Sequence, residues 1–140
     1  MLATFRLENL KNSFYLTPSP LTLHIDGRLK IPGCRAQEYA DCLASTDTFE
    51  HSGDPHLGEN LYWSWSSDPA WRCGGEEPVT SWYEECRGYS YEVEPRDPGT
   101  GHFTQLVWSS SRHLGVGVSQ SDNTGRFYVV MKYDPPGKYL

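Results

Sequence analysis

A strand-turn-strand pattern near the carboxyl end of the chain restricts its fold more than any other feature. The runs Leu114–Gln120 and Phe127–Tyr133 are rich in β-branched and aromatic residues, and Ser121–Gly125 between them is rich in turn formers. Strands joined by so short a turn pair antiparallel, so the sequence predicts a β-hairpin. Gly115 and Gly117 remove side chains from one side of the first strand, which would allow a neighbouring element to approach closely.

The second strand of this hairpin alternates between two sets of residues, and the two sets would face opposite sides of a sheet. We expect one side to be buried and the other to form a mixed surface. The first set contains Phe127, Val129, Met131 and Tyr133, and the second contains Tyr128, Val130 and Lys132.

Two helices and one further strand are predicted upstream of the hairpin. The first helix begins near Cys34, where apolar residues recur at a helical spacing, and the second covers about Val79–Tyr89. The run His102–Trp108 is predicted to be a central strand with Trp108 buried, and residues 3–15 could form a short helix. Helices followed by paired strands indicate a mixed α and β chain. The apolar positions of the first helix are Ala36, Ala40, Leu43 and Ala44.

Length and composition predict the number of domains, and the net charge disfavours one class of partner. A chain of 140 residues is expected to form one domain, and 37% hydrophobic residues with 14% aromatic residues are typical of a compact core. The formal net charge of −6 disfavours binding to a phosphate backbone, which normally requires a basic surface. Nucleic acid is therefore not expected as a partner.

The amino-terminal sequence and the cysteines bear on the compartment. Arg6 and Glu8 interrupt the apolar core that a secretory signal needs, so we expect a cytosolic protein. Two disulfides could form from four cysteines, but free thiols are more usual in the cytosol. The four are Cys34, Cys42, Cys73 and Cys86.

Four short motifs follow one another along the chain. They are Gly58–Tyr62 (GENLY), Trp82–Glu85 (WYEE), Gly101–Trp108 (GHFTQLVW) and Tyr133–Gly137 (YDPPG). Together they resemble the signature of the CAP superfamily, which comprises cysteine-rich secretory proteins, antigen 5 allergens and group-one pathogenesis-related proteins. The run Gly99–Thr104 (GTGHFT) is most similar to the branch of Golgi-associated plant pathogenesis-related proteins.

This resemblance implies a fold and a domain division. The expected fold is a three-layer α-β-α sandwich of the α+β class, with a central antiparallel sheet. The CAP domain would cover residues 34–140, and residues 1–33 would form a divergent amino-terminal segment, because the opening His-Asn-x-x-Arg motif of the family is missing there.

The resemblance also implies a cleft lined by four side chains. The matching positions in this sequence are His51, Glu59, Glu85 and His102, with Glu84 as the neighbouring alternative to Glu85. Imidazole nitrogens and carboxylate oxygens are ligands that Zn²⁺ accepts, and we expect His51 and His102 to be the metal ligands. Each residue taken alone is as well explained by ordinary hydrogen bonding.

Three functions are consistent with the sequence. The resemblance favours a non-catalytic domain that binds a sterol, a fatty acid or a lipid surface, because relatives bind such ligands and the chain carries many aromatic residues. A metal-assisted hydrolase using the same His and Glu side chains is the first alternative, and a protein-interaction module is the second. A homodimer is a further expectation, as is a location in the cytoplasm or at the Golgi membrane surface, with secretion as the alternative.

Overall fold

A four-stranded antiparallel sheet forms the middle layer of the protein. The computed structural model describes residues 21–23, 31–90 and 98–137. The strands are β1 (Leu21–Leu23), β2 (Gly58–Ser64), β3 (His113–Gln120) and β4 (Phe127–Asp134), and their spatial order is β1-β3-β4-β2. The predicted hairpin is confirmed, since β3 and β4 pair antiparallel from His113–Asp134 to Gln120–Phe127.

Helices cover both faces of this sheet. They are α1 (Ile31–Thr46), α2 (Glu76–Glu84) and α3 (Gly101–Leu106), and two short 3₁₀ turns cover Glu85–Gly88 and Pro98–Thr100. Helix α1 lies on one face, whereas α2 and α3 contribute to the core on the other face. The expected α-β-α sandwich is therefore confirmed.

Small residues bring α1 very close to the sheet. Ala36 and Ala40 are completely buried on the helix, and Gly117 lies opposite them on β3. A Cβ atom at Gly117 would lie 2.3 Å from the carbonyl oxygen of Ala36, so no larger residue fits without a backbone shift. The expected close approach at Gly117 is confirmed, and the approaching element is α1.

The side chain of Gln37 completes the backbone hydrogen bonds of β3. The described residues of strand β1, Leu21–Leu23, pair with Leu114–Val116 of β3. Beyond that point, the Gln37 side-chain NH₂ donates to the Val118 carbonyl oxygen at 2.9 Å, and the Val118 N–H donates to the Gln37 side-chain oxygen at 3.2 Å. One amide on α1 thus replaces a strand neighbour, which satisfies backbone groups that would be costly to leave unpaired.

Strand β4 is buried on both sides, so the expectation of a mixed surface on one side was wrong. Val129 and Met131 pack in the core below α2 and α3, while Tyr128 and Val130 pack against α1. Lys132 shares the second side and is only 2% exposed. The strand is central in the sheet, and alternation alone does not indicate that a helix covers the second face.

The predicted strand at His102–Trp108 is also wrong, because Gly101–Leu106 forms helix α3. Phe103 and Leu106 are buried three positions apart, which is a helical spacing. The Phe103 N–H, in the first turn, donates to the Glu85 carboxylate at 3.0 Å, so a side chain distant in sequence stabilises the helix start. Trp108 follows the helix and is partly buried rather than fully buried.

The remaining helix predictions agree with the structure apart from their ends. Helix α1 begins before Cys34, and the second predicted helix divides into α2 and the 3₁₀ turn at Glu85–Gly88. The predicted helix at residues 3–15 lies outside the described residues.

Candidate functional site

His102 and Glu85 form the first pair of side chains at the expected cleft. Glu85 is placed by the 3₁₀ turn after α2, and His102 by the first turn of α3. The His102 Nδ1 atom lies 2.7 Å from Glu85 Oε1. The imidazole also stacks on the indole of Trp82, with ring centroids 6.2 Å apart. These contacts hold His102 in one orientation, and its side chain remains 37% exposed.

His51 and Glu59 form a second pair of the same kind. Glu59 lies on edge strand β2, and His51 lies in the connection that follows α1. The His51 Nδ1 atom is 2.8 Å from Glu59 Oε1. The His51 side chain is 65% exposed, whereas that of Glu59 is only 6% exposed. Both histidines therefore present an oriented ring to solvent above a carboxylate.

Glu59 has two further partners that the sequence did not indicate. The Ser52 hydroxyl donates to Glu59 Oε2 at 2.6 Å, and the Ser52 N–H donates to Oε1 at 2.9 Å. Lys132 is the cross-strand neighbour of Glu59 on β4, and its ammonium group forms an ion pair with Glu59 Oε2. The same ammonium donates to the Ser52 Oγ atom at 2.6 Å. The carboxylate of Glu59 is therefore fully occupied.

These contacts determine the charge on Glu59. Burial alone would raise the pKa of Glu59, but hydrogen bonds from Lys132, Ser52 and His51 together lower the pKa below its ordinary value. The side chain is thus a carboxylate at neutral pH. Because a carboxylate only accepts hydrogen bonds, the proton in the hydrogen bond between His51 and Glu59 lies on His51 Nδ1.

Two buried amide side chains connect the sequence motifs around the cleft. The Asn60 side chain on β2 donates to the carbonyl oxygen of His102 at 3.1 Å. The Gln105 side chain on α3 accepts from the N–H of Gly137 at 2.8 Å, and a Cβ atom at Gly58 would lie 2.1 Å from its oxygen. The sequence motifs alone did not indicate a role for either amide. Their polar character inside otherwise apolar motifs is the signal that could have identified them.

Comparison with known families decides the classification. Residues 35–133 match CAP, the cysteine-rich secretory protein family. The chain belongs to this family. Over 108 residues it is 37% identical to human Golgi-associated plant pathogenesis-related protein 1, and the match covers 75% of this chain and 66% of the relative. The chain therefore spans just under two thirds of that relative's length.

Solved structures of CAP proteins agree with the fold. The structure of NaASP2 with Zn²⁺ matches with a TM-score of 0.58 at 27% identity, covering 76% of this chain and 60% of that chain. Venom allergen-like protein 4 of Schistosoma mansoni matches with a TM-score of 0.63 over 97% of this chain and 84% of that chain. At 19% identity, the second match supports the fold alone.

The chemistry available to this CAP domain depends on how the histidines are paired. A ring whose Nδ1–H donates to a carboxylate offers its Nε2 lone pair to a ligand, which is the usual orientation of a metal-binding histidine. Within the ranges that the structure describes, no three His, Cys, Asp or Glu side chains are grouped closely enough to share a metal. The hydrogen bonds join each histidine to its own glutamate, and Glu59 and Glu85 act in them as acceptors.

The arrangement around Ser52 differs from that of a catalytic triad. A nucleophilic serine donates its proton to a histidine, and the histidine is oriented by a carboxylate. Here the Ser52 hydroxyl donates directly to Glu59, and Lys132 donates to the Ser52 oxygen. The histidine and the serine thus bind the same carboxylate side by side.

Two exposed aromatic rings lie at the end of edge strand β2 on this CAP domain, Trp63 within the strand and Trp65 directly after it. Trp63 is 43% exposed and Trp65 is 56% exposed, although most tryptophans in proteins are largely buried. The Arg126 guanidinium group lies 4.7 Å from the centroid of the Trp63 ring. Trp65 lies beside Gly125 in the turn between β3 and β4.

Two further observations concern the cysteines and the helices of the CAP domain. Cys42, Cys73 and Cys86 are free thiols in the described part of the chain, where Cys42 is exposed and Cys73 is buried. Across residues 21–23, 31–90 and 98–137, no helix has the length and hydropathy needed to cross a bilayer.

Proposed function

We propose that this CAP domain is a non-catalytic binding protein that contacts a lipid surface, or a lipid-like ligand such as a sterol or fatty acid, through Trp63 and Trp65. The observation that carries the proposal is the exposure of two indole rings, one on edge strand β2 (Trp63) and one directly after its last residue (Trp65). Both rings adjoin the turn between β3 and β4, Trp63 through Arg126 and Trp65 through Gly125, so both can enter one interface. Tryptophan is favoured at membrane interfaces because its ring is apolar and its N–H is polar.

The charges around the rings favour a zwitterionic lipid surface. Arg126 beside Trp63 could contact a phosphate group at the depth of the lipid headgroups. The net charge of −6, however, disfavours long-range attraction to anionic membranes. We therefore expect binding to phosphatidylcholine vesicles to depend more on the indoles than on anionic lipid.

A vesicle titration tests this proposal. Tryptophan emission should shift to shorter wavelength on addition of phosphatidylcholine vesicles, and the protein should float with them in a density gradient. The variant W63S/W65S should lose flotation, whereas F49S removes another half-exposed ring and serves as the matched control. Equal flotation of W63S/W65S and the unmodified protein would refute a role for these rings.

The second proposed activity is binding of a divalent cation by His51 and His102. The proposal is supported by the orientation of both rings by carboxylates and by the similarity to NaASP2, whose crystal structure was determined with Zn²⁺. A bound cation would supply Lewis acidity, and the residues of this chain would orient the imidazoles and hold their protons on Nδ1. We propose Zn²⁺ as the first metal to test.

Titration calorimetry with Zn²⁺ checks the cation site. H51A and H102A should each lose binding, and affinity should fall as the pH decreases through about 6.5, the ordinary range of imidazole protonation. His56 is exposed and lies near the same loop, so H56A is the matched control. Undiminished zinc binding by H51A/H102A would exclude this site.

Two other functions give different outcomes in the same assays. A metal-assisted hydrolase would cleave an ester or amide substrate, lose turnover on chelation and recover it when Zn²⁺ is restored. A protein-interaction module would show neither vesicle flotation nor turnover. The location proposed from the similarity to a Golgi-associated relative is the cytoplasm or the outer face of the Golgi membrane, with secretion as the alternative.

A further inference from the structure

Lys132 is a buried charge that the proposed binding activities do not explain. It lies in the middle of central strand β4 and is only 2% exposed. An isolated ammonium group at such a position is strongly disfavoured, so its partners identify the charge that it compensates. Those partners are the Glu59 carboxylate, the Ser52 hydroxyl and the face of the Tyr39 ring, whose centroid is 5.4 Å from Nζ.

The two His–Glu pairs consequently differ in charge. In the His51–Glu59 pair, the buried ammonium group of Lys132 compensates the negative charge of the Glu59 carboxylate. In the His102–Glu85 pair, the carboxylate accepts from His102 and from the Phe103 N–H, and no Lys or Arg of the described residues forms an ion pair with it. Counting only charges on residues that the structure describes, the first pair with its lysine is neutral, and the second carries one negative charge.

We propose that Lys132 sets the cation affinity of the cleft by cancelling the charge of Glu59. This inference rests on the proposed cation site and names the residue that limits its affinity. A divalent ion near His51 would be repelled by the ammonium group and attracted by the carboxylate, so the two effects oppose each other. Because Lys132 and Glu59 are both almost fully buried, water screens their charges little, and loss of the ammonium group should strengthen cation binding.

The lysine also determines the chemical role of Glu59. Its ammonium group occupies the Oε2 atom, and Ser52 and His51 occupy the remaining acceptor positions. Glu59 is thereby restricted to orienting His51. Removal of the ammonium group frees one acceptor position on Oε2, which still accepts from the Ser52 hydroxyl, so the carboxylate becomes available to a cation.

Four variants test the proposal by calorimetric titration with Zn²⁺. K132M should bind Zn²⁺ at least about tenfold more tightly than the unmodified protein, which corresponds to about 1.4 kcal/mol. K132R keeps the charge and should show no gain. K132M/E59Q removes both charges and should lose the gain. R112M removes an exposed positive charge elsewhere and should bind as the unmodified protein does.

The proposal can be tested even if K132M does not fold in the absence of metal. If K132M is unfolded without metal, Zn²⁺ should restore its near-ultraviolet circular dichroism, because the ion then replaces the missing positive charge. Zinc affinity in K132M equal to or below that of the unmodified protein would overturn the proposal, and so would failure of Zn²⁺ to refold it. Absence of zinc binding by the unmodified protein refutes the proposed cation function instead, since K132M can still acquire the site.

Discussion

At the residue scale, Asp47 joins three parts of the fold. It follows α1 with a positive φ of 51°, a conformation that Asn, Asp and Gly adopt more readily than other residues. Its carboxylate accepts hydrogen bonds from the hydroxyl groups of Ser121, Thr124 and Tyr128 at 2.8, 2.7 and 3.1 Å. One side chain thus fixes the β3–β4 turn relative to the end of α1.

Substitution of Asp47 should lower stability in a graded and pH-dependent manner. D47N tolerates the positive φ but loses the charge, so it should melt below the unmodified protein, and D47A should melt lower still. Hydrogen bonds from Thr124 and Ser121 lower the pKa of Asp47 from its ordinary value of 3.8. The charge therefore stabilises the fold above that pH, and the stabilisation is lost as pH falls through the lower folded-state pKa.

Thermal melts from pH 7 to pH 2 check this prediction. The difference between the unmodified protein and D47N should shrink below about pH 3.8. Asp122 is exposed in the same turn, and D122N is the matched control that should melt as the unmodified protein does. A D47N deficit that stays constant down to pH 2 would show that the charge of Asp47 does not contribute.

A second residue-scale prediction concerns the ion pair between Glu59 and Lys132. E59A leaves a buried ammonium group without its carboxylate and should lower the free energy of unfolding by about 3–5 kcal/mol. Urea denaturation measures this value, and E38A on the exposed side of α1 is the control. If E59A lowers the free energy of unfolding by less than about 1 kcal/mol, which is the range of exposed ion pairs, then the Glu59–Lys132 pair is accessible to water.

At the element scale, the contact between α1 and β3 depends on Gly117. A methyl group there would meet the backbone of Ala36 and Gln37, which cannot rotate away as a flexible side chain can. G117A should therefore cost about 1–3 kcal/mol in urea denaturation. Gly74 has no neighbouring atom within 4 Å of an added Cβ, so G74A should change stability much less. Equal stability of the two variants would contradict the observed helix-to-sheet distance.

Helix α2 is attached to the sheet mainly through Trp82. This residue is 2% exposed, and its indole N–H donates to the Leu61 carbonyl oxygen at 3.0 Å. W82A should cost about 3–5 kcal/mol, the usual range for a buried tryptophan. Trp108 was expected to be buried but is only partly buried, so W108A should cost clearly less than W82A in the same denaturation assay. The reverse order would restore the sequence-based prediction for Trp108.

Local sequence patterns predicted some elements and not others for identifiable reasons. The β3–β4 hairpin was predicted from strand formers on both sides of Ser121–Gly125, because the residues that specify it are adjacent in the sequence. Helix α3 was mistaken for a strand because Phe103, Thr104 and Val107 favour strands as individual residues. Its stability depends on Glu85 and on burial of Phe103, which are tertiary contacts that local propensity does not include.

At the scale of the whole molecule, the resemblance to the family indicated the residues of the site but not their chemistry. His51, Glu59, Glu85 and His102 were named from matching motifs, and the structure arranges them as two His–Glu pairs. Lys132 could not be identified in this way, because its role arises from the register of β2 against β4. A lysine in an alternating strand is typical of an exposed surface, and only the third layer formed by α1 makes it a buried partner.

We propose that Trp63 and Trp65 form a lipid-binding surface that is independent of the histidine pairs and does not alter the lipid chemically. Flotation with phosphatidylcholine vesicles, measured with and without chelator, tests this claim most directly in the variant H51A/H102A. We expect this variant to float as the unmodified protein does, and the recovered lipid to be chemically intact. Loss of flotation in a folded H51A/H102A, or chelator-sensitive hydrolysis of the lipid, would contradict the account and assign the cleft to metal-dependent catalysis.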